Sequence, residues 1–219
     1  MAHICILISG CGYLDGAEIH ESVLTLLSFS NAGATYKIAA PHKAQMHVIN
    51  HHTGEVDAHA QRMVHEEAAR IARGAVLSIE EINVDDFDAL FLPGGYGAAK
   101  NLCDFAIKGS EATIDPDIAK VIQDFHAAQK PIGAVCIAPA VLALALNKGT
   151  LTIGNDAGTA SALTALGAQH EDSPVTQAVL DHVNKIASAP AYMYGDAPIH
   201  EVAQGIEATV TAVLAMIKN

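Results

Sequence analysis

The chain has 219 residues, of which 51% are apolar and 16% charged, and it contains no tryptophan. This length supports one α/β domain with a core that needs neither disulfides nor metal, and the composition excludes a disordered chain. The formal net charge of -12, without a cluster of Lys or Arg, excludes nucleic acid and anionic membrane surfaces as partners.

The sequence predicts a cytoplasmic protein. No apolar run reaches the roughly 18 residues of a membrane span, and the N-terminus lacks the basic segment of a signal peptide. In a reducing compartment, cysteines of a chain of this size stay thiols. Each of the four is therefore judged as a thiol: Cys5, Cys11, Cys103 and Cys136.

The first predicted unit is a buried strand followed by a helix. The apolar run from His3 to Ser9 ends in Gly10-Cys11-Gly12, which is typical of a buried strand stopped by a turn. Asp15 and Glu18 then have the spacing of a capping box, and Gly33 supplies the helix stop. The predicted core-facing stripe of this helix consists of Ile19, Val23, Leu26 and Leu27.

Strands and helices alternate along the rest of the chain. Further strands are predicted at Thr35 to Ala40, Asp88 to Leu92, Pro131 to Val135, near Leu151, Val175 to Leu180 and Lys185 to Ser188. Helices are predicted after the Asp115-Pro116 cap, from about Pro139 to Leu146, and near the end through Val202, Ile206, Val210, Val213, Leu214 and Ile217. This order predicts a single domain, 1–219, with a mostly parallel sheet and room for an antiparallel pair near its end.

One segment, about 42–81, interrupts the alternation and is predicted to be an insertion. It is rich in histidine, and His47 and His51 have the spacing of metal ligands on a helix. Val48, Ile49 and the Thr53-Gly54 turn instead favour a hairpin. We therefore predict surface histidines and no metal site here.

Three loops that could carry chemistry follow predicted strands. They are Gly10 to Glu21, Pro93 to Asn101, and the turn at Cys136. Functional groups of open α/β sheets gather at the carboxyl ends of the strands, so we expect these loops to meet. A cysteine between a strand and a helix N-terminus is favoured as a thiolate, which makes Cys136 the candidate nucleophile. The alternative is a small buried hydrophobic residue.

Two further groups are candidates beside the thiol. Glu21, early in the first helix, could hold a proton between itself and Cys136, although acidic residues also occur at helix starts because they complement the helix dipole. The turn containing Gly94 and Gly95 could aim backbone N–H groups at an oxyanion, or it could be only a tight connection.

These pieces together resemble the ElbB family, which has been linked to isoprenoid (lycopene) biosynthesis and belongs to the class I glutamine amidotransferase-like superfamily with the PfpI-type proteases. The resemblance spans nearly the whole chain. Its motifs are Ser9-Gly10-Cys11-Gly12, Asp15-Gly16-Ala17-Glu18-Ile19-His20-Glu21, Asn50-His51-His52-Thr53-Gly54-Glu55, Pro93-Gly94-Gly95, Lys100-Asn101, Cys136-Ile137-Ala138-Pro139-Ala140, Thr152-Ile153-Gly154 and Pro190-Ala191-Tyr192-Met193.

The resemblance implies a flavodoxin-like three-layer sandwich with Cys136 on a nucleophile elbow and hydrogen-bonded by Glu21. It also implies a homodimer and a glutathione-independent glyoxalase that needs no cofactor and acts on a small dicarbonyl, glyoxal or methylglyoxal. The oxyanion or substrate would be bound at Gly94, Gly95 and Ile137.

Ile137 marks a departure from the superfamily, whose amidases and proteases place a histidine directly after the cysteine. An amide leaving group needs protonation by such a group, so amidase and protease activity are disfavoured. The competing hypothesis is a non-enzymatic redox sensor or partner-binding module, in which the thiol of Cys136 is oxidised.

Overall fold

A computed structural model of the chain describes residues 1–217. The strands are β1 (His3–Leu7), β2 (Thr35–Ala40), β3 (Val76–Ser78), β4 (Ala89–Leu92), β5 (Ile132–Val135), β6 (Thr150–Leu151), β7 (Gln169–His170), β8 (Val179–Asp181) and β9 (Ile186–Ala189). The α-helices are α1 (Ile19–Asn31), α2 (Val64–Ala72), α3 (Phe105–Lys108), α4 (Pro116–Ala127), α5 (Ala138–Leu146), α6 (Ala157–Ala165) and α7 (Ile199–Ile217). Short turns of 3₁₀ helix lie at Ile79–Glu81, Val84–Asp86, Gly109–Glu111 and Ala191–Met193, and a π-helical turn lies at Ala98–Leu102.

The central sheet has the strand order β3-β2-β1-β4-β5-β9-β8, and only the β8–β9 pair is antiparallel within it. The two strands β6 and β7 form a small separate sheet. The three-layer α/β fold with a mostly parallel sheet, and its antiparallel pair near the end, are thus confirmed. The strand order reverses at β1, so the loops after β1 and β4 lie on either side of a switch point, where open α/β sheets bind ligands.

Two apolar clusters cover the two faces of the sheet. Because side chains alternate along a strand, Cys5 and Leu7 of β1 enter the cluster that contains α4 and α5. Ile4 and Ile6 enter the opposite cluster, which contains α1, α2 and α7. Helices therefore close both faces, which is why the parallel strands consist of nearly continuous apolar residues.

Helix α1 corrects the sequence prediction of its core-facing side. Ile19, Val23 and Leu27 are 44%, 49% and 52% exposed. The buried residues are instead Glu21, Ser22, Thr25 and Phe29. Helix α1 packs against α7, so its buried face holds three polar residues and Phe29 in place of the predicted apolar stripe, of which only Leu26 packs partly against the core. The cap also differs from the prediction: Glu18 is the N-cap, and the buried carboxylate of Asp15 accepts a hydrogen bond from the backbone N–H of Ile49.

The other differences lie in short or weakly patterned segments. The strand predicted at Val175 to Leu180 begins only at Val179, because a turn closed by the hydrogen bond from Gln177 N to Pro174 O precedes it. Helix α6 was not predicted, since its small residues make no apolar stripe. The expected insertion at about 42–81 holds the predicted hairpin, bridged at Ile49 and Val56, and then α2 and β3, which continue the alternation.

Candidate active site

The candidate active site lies at the carboxyl ends of β1, β4, β5 and β9. Backbone hydrogen bonds join the loop after β1 to the glycine loop after β4: Glu18 N donates to Gly94 O at 3.0 Å, and Gly97 N donates to Gly16 O at 2.8 Å. These bonds fix the two loops side by side. Residues far apart in sequence therefore meet at one edge of the sheet, as expected for this class of fold.

Cys136 lies between β5 and α5 and has a φ of 61°. Non-glycine residues rarely adopt a positive φ, so this turn is conformationally demanding. The backbone N–H of Cys136 donates to Ala189 O of β9 at 3.0 Å, which ties the turn to the neighbouring strand. The side chain is 7% exposed and lines a cavity.

Glu21 is fully buried on the inner face of α1. Its carboxyl group accepts hydrogen bonds from Gly94 N at 3.0 Å and from Tyr192 N at 3.1 Å, and it also hydrogen-bonds the thiol of Cys136. Burial raises the pKa of Glu21 to about 7, and the neighbouring charge of Glu18 adds to this rise, while the three hydrogen bonds oppose it. A carboxyl group with this pKa exchanges a proton readily near neutral pH.

The thiol of Cys136 is not favoured as a thiolate, contrary to the expectation from its place before a helix. Burial raises its pKa well above the ordinary value, and the negative charge of Glu21 raises it further. Hydrogen bonds from the backbone of Gly95 and Ile137 act in the opposite direction without reversing the shift. The resting pair is therefore a thiol that donates its hydrogen bond to the Glu21 carboxylate.

All five site residues singled out in the sequence lie in this one place. Gly94 has its N–H directed at Glu21, whereas the N–H groups of Gly95 and Ile137 face the sulfur of Cys136. Gly94 also allows close approach: a Cβ at this position would lie 2.7 Å from Oε2 of Glu21 and 2.9 Å from Sγ of Cys136. Only glycine fits between the carboxyl group and the thiol.

Three residues of the site were missed in the sequence. Glu18 accepts a hydrogen bond from Glu21 N at 2.6 Å. Tyr192 follows β9, donates its N–H to Glu21, and shares a 3.0 Å hydrogen bond between its hydroxyl and Nδ1 of His20. The rule that strand ends gather applies to β9 as well, so the position of Tyr192 carried a signal that was not used.

The cavity beside Cys136 has a volume of about 350 Å³. Among the residues that line it are Glu18, Gly95, Cys136, Ile137 and Tyr192. The remaining cysteines lie elsewhere: burial raises the pKa of Cys5 and of Cys103 to about 12, and Cys11 is half-buried. Cys136 is therefore the thiol that meets both a carboxyl group and a cavity.

Metal sites and membrane-spanning helices are both absent from residues 1–217. No group of three or more His, Cys, Asp or Glu side chains in that part of the chain is arranged to hold a metal ion. Nor is any helix in it long and apolar enough to cross a membrane.

Comparison with known proteins decides the family. The model of the DJ-1/PfpI family matches residues 11–190. This chain belongs to the DJ-1/PfpI family. It is 40% identical to the rat ES1 protein homolog, mitochondrial, over 97% of this chain and 83% of that protein. It is also 40% identical to the human glutamine amidotransferase-like class 1 domain-containing protein 3, mitochondrial, over 97% of this chain and 82% of that protein.

The same family relationship is visible in a solved structure. A crystal structure of an isoprenoid biosynthesis protein with amidotransferase-like domain from Ehrlichia chaffeensis superposes with a TM-score of 0.92. It is 36% identical and covers 99% of both chains. The class I glutamine amidotransferase-like superfamily is thus confirmed for this chain, and the fold extends over its full described length.

Proposed function

We propose that this protein is a glutathione-independent glyoxalase that converts glyoxal or methylglyoxal to the 2-hydroxy acid. The observation that carries the proposal is the hydrogen bond between the Cys136 thiol and the buried Glu21 carboxyl group, next to a cavity. A nucleophile paired with a base of pKa about 7 supports covalent catalysis at neutral pH.

The first step makes a hemithioacetal. The Glu21 carboxylate takes the proton of the Cys136 thiol while the sulfur bonds to an aldehyde carbon, and the carbonyl π electrons move to oxygen. The backbone N–H groups of Gly95 and Ile137 stabilise that oxyanion, since they already point to the reacting sulfur. Glu21 then returns the proton to the oxygen, which leaves its carboxylate free for the next transfer.

The second step moves a hydrogen between the two carbons. The Glu21 carboxylate removes the proton from the carbon attached to sulfur, which gives an enediolate with its negative charge on the second oxygen, and delivers the proton to the neighbouring carbon. The proton of the first hydroxyl passes to the second oxygen as the thioester carbonyl forms. One carbon is oxidised to a thioester as the other is reduced to an alcohol, so no external oxidant or reductant is needed. Water then cleaves the carbon–sulfur bond to release the hydroxy acid and restore the thiol.

The site fits this chemistry better than the alternatives. Ile137 occupies the position where a histidine would serve an amide leaving group, which disfavours amidase and protease activity. Oxidation of a thiol follows its thiolate character and exposure, and Cys136 is buried with a raised pKa. A redox sensor is therefore the less favoured proposal.

The pathway, the location in the cell and the oligomeric state of the protein stay predictions. The ElbB resemblance and the name of the Ehrlichia relative, an isoprenoid biosynthesis protein, support a link to isoprenoid biosynthesis. The cytoplasmic location was predicted from sequence, whereas the rat and human relatives are called mitochondrial. The homodimer also rests on the resemblance alone.

The proposal is tested by incubating the purified protein with glyoxal, without glutathione, and following glycolate. Cys136→Ala should abolish turnover. Cysteine and alanine are equally disfavoured at the positive φ of this turn, so the substitution should not change its backbone strain. Cys11→Ala, which removes a half-buried thiol outside the site, should retain it. Equal glycolate formation by wild type and Cys136→Ala, or none by wild type, would refute the proposal.

A further inference from the structure

The cavity beside Cys136 is larger than the smallest dicarbonyls require. Its volume of about 350 Å³ lies within the range of about 300 to 1,000 Å³ that holds drug-sized ligands. Glyoxal, with two carbons, would leave most of this space to water. The space next to the thiol therefore has room for a substituent on the substrate.

The lining of the cavity is mainly apolar and aromatic. Its large side chains are Tyr13, Tyr96, Phe105, Ile137, Tyr192 and Met193. Tyr13 and Tyr96 are about half exposed, so the outer part is open to an entering molecule. Aromatic rings and a methionine bind flat apolar groups without demanding a particular hydrogen bond.

The charge at the cavity disfavours an anionic ligand. Glu18 is the one charged residue among those that line it within residues 1–217. Lys100 is not among the lining residues; its ammonium lies 5.2 Å from the centroid of the Tyr96 ring and donates a hydrogen bond to Leu14 O at 2.8 Å. A substrate carboxylate would thus meet the like charge of Glu18 and no basic side chain among these lining residues.

From these three observations we propose that the substrate is an uncharged 2-oxoaldehyde that carries an apolar substituent, such as an aryl group, on its ketone carbon. This rests on the proposed glyoxalase function. The aldehyde carbon would bond to Sγ of Cys136 and the substituent would pack in the cavity. Addition of one water to the oxoaldehyde gives the 2-hydroxy acid, so the atoms and electrons balance as they do for glyoxal.

Alkylation of Cys136 tests the cavity without any turnover. The rates of N-phenyl iodoacetamide, iodoacetamide and iodoacetate are each divided by their rates with glutathione, and mass spectrometry confirms labelling at Cys136. Burial of the ring is expected to favour the phenyl reagent over iodoacetamide by about 10-fold. Iodoacetate should be disfavoured by a similar factor. Three equal normalised rates would overturn the inference.

A pair of variants on neighbouring residues ties the preference to the cavity. Ala106 is exposed and lines the cavity, so Ala106→Trp should fill it and remove the preference for the phenyl reagent. Ile107, which is next in sequence, exposed and outside the lining, supplies the control Ile107→Trp, which should keep the preference. The same loss in both variants would contradict the assignment.

Turnover completes the test. Wild type should convert phenylglyoxal to mandelate with a kcat/KM above that for glyoxal, and Ala106→Trp should reverse the order. If the alkylation preference is present and neither compound is turned over, the proposed function fails and the cavity specificity stands. If glyoxal is turned over and the phenyl compounds gain nothing, the specificity fails and the function stands.

A separate observation concerns Tyr192. Its backbone N–H donates to Glu21, the residue lines the cavity together with Cys136, and its hydroxyl shares a 3.0 Å hydrogen bond with Nδ1 of His20. Burial and the charges of Glu18 and Glu21 raise its pKa, so the hydroxyl keeps its proton. A lining residue of the cavity thus carries a protonated hydroxyl that a neighbouring histidine orients.

We infer that Tyr192 is a catalytic residue that protonates the second carbonyl oxygen of the substrate. This also rests on the proposed function. When Glu21 removes the carbon-bound proton, the phenol gives its proton to that oxygen. When the thioester carbonyl forms, the phenolate takes the proton of the first hydroxyl, so the phenol is restored. His20 is a positioning residue that orients the hydroxyl.

Tyr192→Phe should lower turnover of glyoxal by about 100-fold or more and leave alkylation of Cys136 by iodoacetamide unchanged. His20→Ala should lower turnover less, and His20→Gln, which can retain a hydrogen bond to the hydroxyl, should recover part of it. Unchanged turnover in Tyr192→Phe, or an equal loss of turnover and alkylation, would overturn the catalytic role. Absence of turnover in wild type would instead remove the proposed function itself.

Discussion

The carboxyl group of Glu21 hydrogen-bonds the thiol of Cys136 inside the protein, although the two residues lie 115 positions apart in the sequence. Burial raises the pKa of both groups, and the charge of Glu21 raises the pKa of Cys136 further, so near neutral pH the thiol keeps its proton and shares it in a hydrogen bond with the carboxylate. We therefore expect the sulfur of Cys136 to react when a substrate in the cavity forms a bond to it.

Glu21→Gln separates the two effects of this carboxyl group. Turnover should fall by about 100-fold or more, because the base that moves the proton is lost. The pKa of Cys136 should fall at the same time, since the charge of Glu21 that raises it is gone. The ultraviolet absorbance of the thiolate against pH measures the second effect. Wild-type turnover in Glu21→Gln would refute the assigned role.

The stability of the fold should depend on pH through Glu21. Its pKa is raised from an ordinary 4.5 to about 7, so the folded state binds the proton more tightly than the unfolded state does. The resulting stability is fully present below pH 4.5 and is lost as pH rises through about 7. The loss corresponds to about 3 kcal/mol for a shift of this size.

Denaturant unfolding of wild type and Glu21→Gln between pH 5 and 8 measures this effect. The difference in unfolding free energy between the two should change with pH in favour of the variant as pH rises, because the variant has no proton to lose. Histidine titration is common to both and cancels. Parallel pH curves for the two proteins would contradict the raised pKa.

Gly94→Ala should impair the site and the fold together. The added methyl group would lie within 3 Å of Glu21 Oε2 and Cys136 Sγ, and neither backbone can give way easily. We expect a loss of about 1 to 3 kcal/mol in unfolding free energy and a slower alkylation of Cys136. Gly195→Ala is the matched control, because a Cβ there meets nothing within 4 Å.

Asn101 should contribute to stability by joining three segments. Its side-chain amide donates to Ser9 O and Asp15 O and accepts from Met46 N, all at 2.9 to 3.0 Å, and it is buried. Asn101→Leu leaves these backbone groups unpaired, so unfolding free energy should fall by about 3 kcal/mol. Asn83→Ala, which removes one exposed hydrogen bond, should cost less than 1 kcal/mol.

The sequence predicted the fold well where hydrophobic patterns are long or capped. Strand β2 and helix α4 with its Asp115 cap were placed correctly, because an apolar run and a cap have local causes. The buried side of α1 was predicted wrongly at Ile19, Val23 and Leu27, whereas Leu26 packs partly against the core. Packing against α7 buries polar residues and Phe29 instead. Helix α6 lacks any stripe to detect.

The site was predictable in part for a similar reason. The carboxyl ends of parallel strands lie at one edge of a sheet, so the proximity of Cys136 and the glycine loop could be predicted from the sequence. The protonation state of Cys136 could not be predicted in this way, because it depends on burial and on the distance to Glu21, which are tertiary properties. The place of Tyr192 after β9 followed from the same rule, but its contact with His20, across 172 residues, needed the fold.

The place of β9 in the sheet has a consequence for the order in which the parts of the site are assembled. This strand follows Cys136 in the chain and is therefore synthesised after it. It nevertheless lies inside the sheet beside β5, accepts the N–H of Cys136 at Ala189 O and brings the N–H of Tyr192 to Glu21. A growing chain that already displays Cys136 thus lacks the strand that completes its surroundings. The surroundings of Cys136 are therefore complete only after β9 has been made, and a truncated product that stops before β9 would carry the thiol without the hydrogen bonds that β9 and Tyr192 supply.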